Sequence, residues 1–305
     1  MSEMVQICEW NSSCIFSLTP SRLRPYHHPG EQKQSRVKAL ERMTHEPIIE
    51  AKGLSIRFGG LVAVDSYSLV LRSEDLAGLI GPNGAGKTTA FNLLTGVHKP
   101  SEGAILIGGQ DMTGQKPHKL AQAGLARTFQ NIRLFADLTV LENVMCGGHL
   151  RHGSSLFSTL AYLPAFRRSE RQIAQEATKI IREVGLADAI DRRAGDLSYG
   201  DQRRVEIARA LATHPKALLL DEPAAGLNPS ETQALVELIR RINGEMGIGV
   251  LVVEHDMRLV MSLCRRIQVL NRGKLVCEGA PAEVQADPAV IEAYLGTRRQ
   301  RAAHA

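Results

Sequence analysis

The sequence predicts an α/β fold built around a mostly parallel sheet. From residue 47 onward, short strand-like segments alternate with longer helix-like ones, an order that places helices against parallel strands. Segments 217–220 and 250–253 are wholly apolar, as expected for strands buried on both faces. A third apolar segment, 76–80, runs into a glycine-rich turn followed by a helix-like stretch at 89–94.

The other elements flank this core. Residues 48–51 and 66–71 alternate apolar and polar side chains, which is typical of half-buried strands. Residues 139–190 are predicted to be mostly helical. Within 170–183 the apolar side chains recur at helical spacing, at Ile173, Ala177, Ile180 and Ile181. The sequence therefore predicts an α/β core interrupted by a helical segment.

The composition fits a folded protein of one large domain or two modest ones. Hydrophobic residues make up 44% of the 305 residues, which is enough for a sizeable core and excludes wholesale disorder. The net charge of +5 suits an anion-binding protein but also an ordinary one. Five scattered cysteines indicate neither a zinc site nor a disulfide framework, and a reducing compartment is expected. No apolar run approaches the roughly 20 residues that span a bilayer, so a membrane role would be peripheral.

The two ends of the chain differ from its middle. Residues 1–46 hold prolines, histidines and many polar side chains without a clear period, and no signal-peptide pattern. We expect them to form a poorly ordered extension; if translation begins at Met43, residues 1–42 precede the true start. The predicted domain occupies 47–297, with a helical part at about 131–200, and a short tail follows at 298–305.

The glycine-rich turn fits the phosphate-loop pattern G-x-x-x-x-G-K-[ST] at every fixed position. The matching residues are Gly81, Pro82, Asn83, Gly84, Ala85, Gly86, Lys87 and Thr88. The glycines let the backbone curl so that its N–H groups and the next helix amino terminus face phosphates. Lys87 is expected to reach the terminal phosphates of ATP, Thr88 to offer its hydroxyl to Mg²⁺, and Thr89 to complete the site. A purely structural glycine turn would not need the lysine–threonine pair.

Three further positions are candidates for the chemistry. Asp221, at the end of an apolar segment, is placed to hold Mg²⁺, and Glu222 to polarise an attacking water. Gln130, ahead of the helical segment, is a candidate Mg²⁺ ligand and switch residue. His255 follows the last apolar segment, near the γ-phosphate. Alone, an acidic strand end fits a solvated turn and a histidine fits a surface position, so these assignments depend on the phosphate loop.

The segment Leu197–Leu211 (LSYGDQRRVEIARAL) resembles the signature motif of the ATP-binding-cassette (ABC) family. The resemblance implies a P-loop NTPase with a mostly parallel core sheet, an antiparallel β subdomain and a helical subdomain. It also implies that Ser198 and Gly200 bind the γ-phosphate held by a second ATPase subunit, so that a dimer encloses two ATP molecules. Tyr199 and Asp201 depart from the usual Gly and Gln. Asp201 either weakens this contact by charge repulsion or faces solvent.

Within the family, residues 47–297 look most like the LivG-type ATPases of branched-chain amino acid importers. The similar blocks are FGGLVAV at 58–64, RTFQNIRLF at 127–135, DEPAAGLNP at 221–229, EHDM at 254–257 and DPAVIEAYLG at 287–296. Asn228 stands where many cassettes have Asp. Phe58 matches the aromatic residue that stacks on adenine, although a core position at a strand end is an equal alternative.

The resemblance also implies the partners and the location. Integral membrane permease subunits, and indirectly a solute-binding protein, are expected at the cytoplasmic face of the inner membrane, with no nucleic acid. The helical part would dock the permeases. The apolar side chains within 149–172 form either a partner groove or that part's own core. Another ABC system, such as an amide or urea importer or a lipopolysaccharide exporter, stays open, and the solute cannot be read from the sequence. A ribosome- or DNA-acting cassette would usually carry two cassettes or a coiled-coil insertion. A binding module without hydrolysis would lack Glu222 or Lys87.

Overall fold

The computed structural model describes residues 46–150 and 164–294. Its elements in chain order are β1 (Ile49–Phe58), β2 (Leu61–Leu71), β3 (Leu76–Ile80), α1 (Lys87–Leu94), β4 (Glu102–Ile107), β5 (Gln110–Asp111), α2 (Pro117–Gln122), β6 (Leu125–Arg127), α3 (Val140–Gly148), α4 (Pro164–Glu183), α5 (Tyr199–Leu211), β7 (Ala217–Asp221), α6 (Pro229–Gly244), β8 (Gly249–Val253), α7 (Met257–Leu263), β9 (Arg266–Asn271), β10 (Lys274–Gly279) and α8 (Pro281–Ala286). Residues 288–294 are helical as well.

The core sheet has the strand order β10-β9-β3-β8-β7-β6, and only the β9–β10 pair is antiparallel. The predicted mostly parallel α/β core is therefore confirmed. Both faces are buried, because side chains alternate between two hydrophobic clusters along each central strand. In β7, Leu218 and Leu220 join one cluster while Ala217 and Leu219 join the other.

A second sheet, with the order β2-β1-β4-β5, is antiparallel throughout. It contains the two predicted half-buried strands. Helix α1 contributes to the cluster between this sheet and the core through Ala90, Phe91 and Leu94, all fully buried. The Tyr67 hydroxyl donates a hydrogen bond of 2.8 Å to Gln268 Oε1, which joins the two sheets across the buried interior. Helix α1, which follows the phosphate loop, is therefore packed between the two sheets.

The helical part is built from α3, α4 and α5, which pack on one another. Helix α3 begins at a capping box, in which Thr139 and Glu142 satisfy each other's backbone N–H groups. The side chains predicted to lie on the buried face of a helix within 170–183 are buried in α4, with exposed fractions of 8% or less. The helical prediction is confirmed for these described stretches.

Some predictions fall on residues outside the described ranges. The extension at 1–45, the end of the chain from 295 onward and the apolar side chains Leu156, Phe157, Leu160, Tyr162 and Leu163 are among them, as is the side chain of Phe166. Across 46–150 and 164–294, no helix has both the length and the apolarity needed to cross a membrane.

Candidate nucleotide-binding site

The phosphate loop joins β3 to α1, and its backbone requires glycine. Gly81, Gly84 and Gly86 have φ angles of +154°, +78° and +99°. A Cβ atom on Gly81 would lie 2.1 Å from the Leu270 carbonyl oxygen, and one on Gly86 would lie 2.6 Å from the Ala63 carbonyl oxygen. Gly86 is the N-cap of α1 and provides no side-chain cap, so the first N–H groups of the helix remain available to an anion.

Lys87 lies inside this loop. Its ammonium donates hydrogen bonds of 2.7 Å to the Gly81 carbonyl and 3.2 Å to the Pro82 carbonyl. Burial lowers the pKa of Lys87, while the nearby charge of Glu222 opposes this shift. Thr88 is exposed and Thr89 half-buried at the start of α1. The loop thus presents one ammonium and two hydroxyl-bearing residues beside its backbone amides.

Two carboxylates lie at the carboxyl end of β7. Asp221 is buried, and burial raises its pKa, with the Glu222 and Glu254 charges adding to the shift and Arg127 and Arg203 opposing it. Glu222 has a φ angle of +44°, and its N–H donates to the Val253 carbonyl at 2.8 Å. A glutamate in this region is uncommon and strained, and such strain concentrates at functional sites.

Gln130 and His255 converge on the same oxygen of Glu222. Gln130 Nε2 donates to Glu222 Oε2 at 3.0 Å, and His255 Nδ1 lies 3.7 Å from that oxygen. The three side chains come from the ends of β6, β7 and β8, which are neighbours in the core sheet. The structure therefore brings together the three residues proposed for catalysis from the sequence, although they lie up to 125 residues apart.

Sequence reasoning assigned no role to Glu254, which is buried next to His255. Its Oε1 accepts the Ala224 N–H at 2.9 Å and its Oε2 accepts the His255 N–H at 3.2 Å. Burial raises the pKa of Glu254, and Glu222 adds to the shift. An acidic residue ending an apolar strand was a visible signal, but its bonds to the turn after Glu222 depend on strand order.

The signature segment forms a second polar cluster. Ser198 caps α5, with its Oγ accepting the Asp201 N–H at 3.2 Å. Asp201 Oδ1 lies 3.5 Å from Arg204 Nη1 on the same helix, so its charge is partly balanced within the chain. A Cβ atom on Gly200 would lie 2.7 Å from Glu231 Oε1, so a larger residue there would displace the Glu231 side chain. Within 46–150 and 164–294, no hydrogen bond or ion pair joins this cluster to the phosphate loop.

Phe58 lies at the end of β1 and is not part of the core. Its side chain is 48% exposed and makes an edge-on contact with His98, with ring centroids 5.4 Å apart. Of the two interpretations of Phe58, the core position is therefore wrong. An exposed aromatic ring can stack on a planar base.

The oxygen donors predicted from the sequence to bind a metal ion are of the kind that Mg²⁺ prefers. Thr88 offers a hydroxyl, Gln130 an amide oxygen and Asp221 a buried carboxylate, all of them hard donors. Among the described residues, no group of three or more His, Cys, Asp or Glu side chains is placed to hold a metal. Mg²⁺ commonly keeps several waters and shares phosphate oxygens with few protein ligands, so a small set of oxygen donors is compatible with it.

The fold and the site define a P-loop nucleotide-binding protein of the α/β class. Residues 64–225 match the profile of the ABC transporter family, and residues 274–299 match that of a branched-chain amino acid ATP-binding cassette transporter. The chain is 47% identical over 250 residues to the high-affinity branched-chain amino acid transport ATP-binding protein BraF of Pseudomonas aeruginosa, covering 82% of this chain and 98% of BraF. It is 45% identical over 251 residues to LivG of Escherichia coli, covering 82% and 98%.

A solved structure agrees with this sequence similarity. The ADP conformation of an ATP-binding cassette of an ABC transporter superimposes with a TM-score of 0.72 at 33% identity, covering 82% of this chain and 99% of that one. The chain therefore belongs to the ABC transporter family and is an ATP-hydrolysing member of it.

Proposed function

We propose that this chain is the ATP-hydrolysing subunit of an importer for branched-chain amino acids or closely related solutes. The convergence of Gln130 and His255 on Glu222, beside a buried Asp221, carries the proposal for hydrolysis. The solute class is supported by the similarity to BraF and LivG and by the match at 274–299.

The proposed mechanism gives every side chain of the site a task. Lys87 and the loop amides bind the ATP phosphates and spread the charge that develops during transfer. Glu222 orients the attacking water and accepts its proton, while Gln130 and His255 hold the Glu222 carboxylate. Thr88, Gln130 and Asp221 would hold Mg²⁺, whose charge supports the phosphates. Phe58 supplies a stacking surface for the base.

A second ATPase subunit completes the site in this proposal. Ser198 and Gly200 lie at the amino terminus of α5, which has the geometry of an anion site, yet no hydrogen bond or ion pair between described residues connects them to the phosphate loop of their own chain. Two chains arranged head to tail would place this helix end against the γ-phosphate of the partner. The dimer can consist of two copies of this chain or of two related subunits.

Permease subunits are the proposed partners to which ATP hydrolysis is coupled. A cavity of about 350 Å³ opens between α2 and β6 on one side and α3 and α5 on the other. Its lining is mainly apolar and includes Leu120, Leu125, Leu150 and Phe129, the neighbour of Gln130. An element of a permease seated there would touch the residue before Gln130. In this proposal the chain is a peripheral subunit at the cytoplasmic face of the inner membrane, and a solute-binding protein acts indirectly.

The Glu222→Gln substitution tests the hydrolytic proposal in the full chain. We expect nucleotide affinity to remain within about twofold, because the phosphate loop is unchanged. Turnover should fall by at least about a hundredfold, and MgATP should trap a dimer in size-exclusion chromatography. Unchanged turnover would refute the role of Glu222. Uptake of labelled leucine, urea and short amides by cells that carry the chromosomal substitution tests the solute class, and loss confined to urea or amides would contradict it.

A further inference from the structure

Helix α5 carries a buried ion pair that has no part in the proposed mechanism. Arg203 and Glu206 lie one turn apart, with side-chain exposures of 0% and 2%, and Arg203 Nη1 donates to Glu206 Oε2 at 2.7 Å. Desolvating two charges is costly, and a buried pair is often no more stabilising than apolar residues of similar size. The reason for this pair is therefore better sought in what it holds than in stability alone.

The pair holds the backbone around Gln130. Arg203 Nη1 donates to the Phe129 carbonyl at 2.8 Å, and its Nη2 donates to the Gln130 carbonyl at 2.9 Å. Glu206 Oε1 accepts the Phe129 N–H at 3.2 Å. Together these bonds satisfy three of the four backbone polar groups of Phe129 and Gln130, which lie more than 70 residues earlier in the chain. The planar guanidinium suits this task, because its two terminal nitrogens reach two carbonyls at once.

The same helix carries the signature residues at its amino terminus, about one turn before Arg203. Ser198 caps α5, and Arg203 follows five residues later, which corresponds to about 7.5 Å along a helix. Gln130, held through its carbonyl, donates through its side chain to Glu222. An unbroken series of bonds therefore runs from the signature helix, through Arg203 and the Gln130 backbone, to the carboxylate proposed to orient water.

We propose that Arg203, held by Glu206, is a positioning residue that fixes the Gln130 backbone to the signature helix and so keeps the Gln130 side chain in contact with Glu222. The inference rests on the proposed roles of Gln130, Ser198 and Glu222. It predicts that loss of the pair lowers turnover while leaving nucleotide affinity intact, because neither residue contacts the phosphate loop.

The test replaces the pair by apolar residues of similar size, R203M/E206L, in the full chain. This double substitution leaves no unpaired buried charge. We expect kcat to fall on the order of tenfold or more, since small displacements of catalytic groups have large effects, with the nucleotide dissociation constant within about twofold. Arg203→Lys, which keeps the charge but loses the two-pronged reach, is the second variant and should lower kcat in the same direction.

Two further variants separate positioning from stability and from the proposed function. Val205→Ala shortens a fully buried side chain of α5 that forms no hydrogen bond with the Gln130 segment, and should leave kcat near wild type despite a lower melting temperature. Gln130→Ala supplies the second axis of a double-mutant cycle. If Arg203 acts through Gln130, R203M/E206L should lower kcat by less than about twofold further in that background.

The outcomes are distinct. A kcat of R203M/E206L and Arg203→Lys close to wild type, while Gln130→Ala is impaired, overturns the inference alone. An equal fold loss with and without Gln130, or an equal loss in Val205→Ala, also overturns it. A Gln130→Ala variant with unchanged kcat overturns the proposed role of Gln130 and this inference together.

Discussion

The phosphate loop offers a matched pair of glycines for a quantitative test. Gly84 and Gly86 both have positive φ angles, +78° and +99°. A Cβ atom on Gly84 meets nothing within 4 Å, whereas one on Gly86 would lie 2.6 Å from the Ala63 carbonyl oxygen and 3.3 Å from Gly273 Cα. Alanine at the first position thus suffers only from its backbone conformation, while alanine at the second also displaces packed backbone.

The expected free-energy losses differ accordingly. A left-handed conformation costs alanine about 1–2 kcal/mol, which is the whole expected effect of Gly84→Ala. Overpacking typically adds about 1–3 kcal/mol, so Gly86→Ala should lose about 2–5 kcal/mol in all. At about 2–4 °C per kcal/mol for a domain of this size, the melting temperature should fall by about 2–8 °C in the first variant and about 4–20 °C in the second.

Thermal unfolding of the nucleotide-free chain, followed by circular dichroism, measures both variants side by side. A fluorescent ATP analogue then reports on binding, which should be weaker for Gly86→Ala because displacement there moves the start of α1. Equal shifts in the melting temperatures of the two variants would refute the reasoning, since they would show that the backbone at Ala63 can be displaced without loss of stability. Gly84→Ala as the less stable variant would refute it as well.

Two more substitutions probe the charges around the site. Asp221→Asn should abolish Mg²⁺-dependent turnover yet raise the melting temperature of the nucleotide-free chain. The pKa of Asp221 is raised in the folded state, so the free-energy penalty for its charge grows as the pH rises from about 3.8 through the folded pKa. The gain in melting temperature from Asp221→Asn should therefore be larger at pH 8 than at pH 4. Melting curves across that range measure the gain, and an equal or negative gain at pH 8 would contradict the prediction. Asp201→Gln should lower the ATP concentration needed for dimer formation by about threefold to tenfold at low salt, and less at high salt, as repulsion of the phosphate is removed. Light scattering in the Glu222→Gln background measures this, and an unchanged ATP dependence would show that Asp201 faces solvent.

Local patterns predicted most of the fold and the parts of the site that are contiguous in sequence. The apolar strands, the glycine turn and the helical spacing around Ile173 each depend on residues close in the chain. Their predicted states are those found in β3, β7, β8, α1 and α4. The phosphate loop was equally accessible, because one short segment contains its glycines and its lysine.

Contacts across the chain could not be predicted in the same way. The contact between Gln130 and Glu222 requires that β6 and β7 be neighbours in the sheet. The local sequence of either segment does not predict this strand order. The hydrogen bond from Arg203 to the Phe129 carbonyl joins residues 74 positions apart. In the sequence, Arg203 resembles any polar residue of an exposed helix face. Glu254 was missed for the same reason, since its partners lie in the turn after a different strand.

The cap of α5 restricts which residue can stand at position 198. The Ser198 Oγ accepts the Asp201 N–H, and a hydroxyl that accepts one bond still has a hydrogen to give. Aspartate would cap the helix as well, but it has only lone pairs and a negative charge to turn toward a phosphate. Alanine would leave the Asp201 amide without its partner. A small hydroxyl-bearing side chain can therefore cap the amino terminus of the helix and donate a hydrogen bond to an anion through the same oxygen atom.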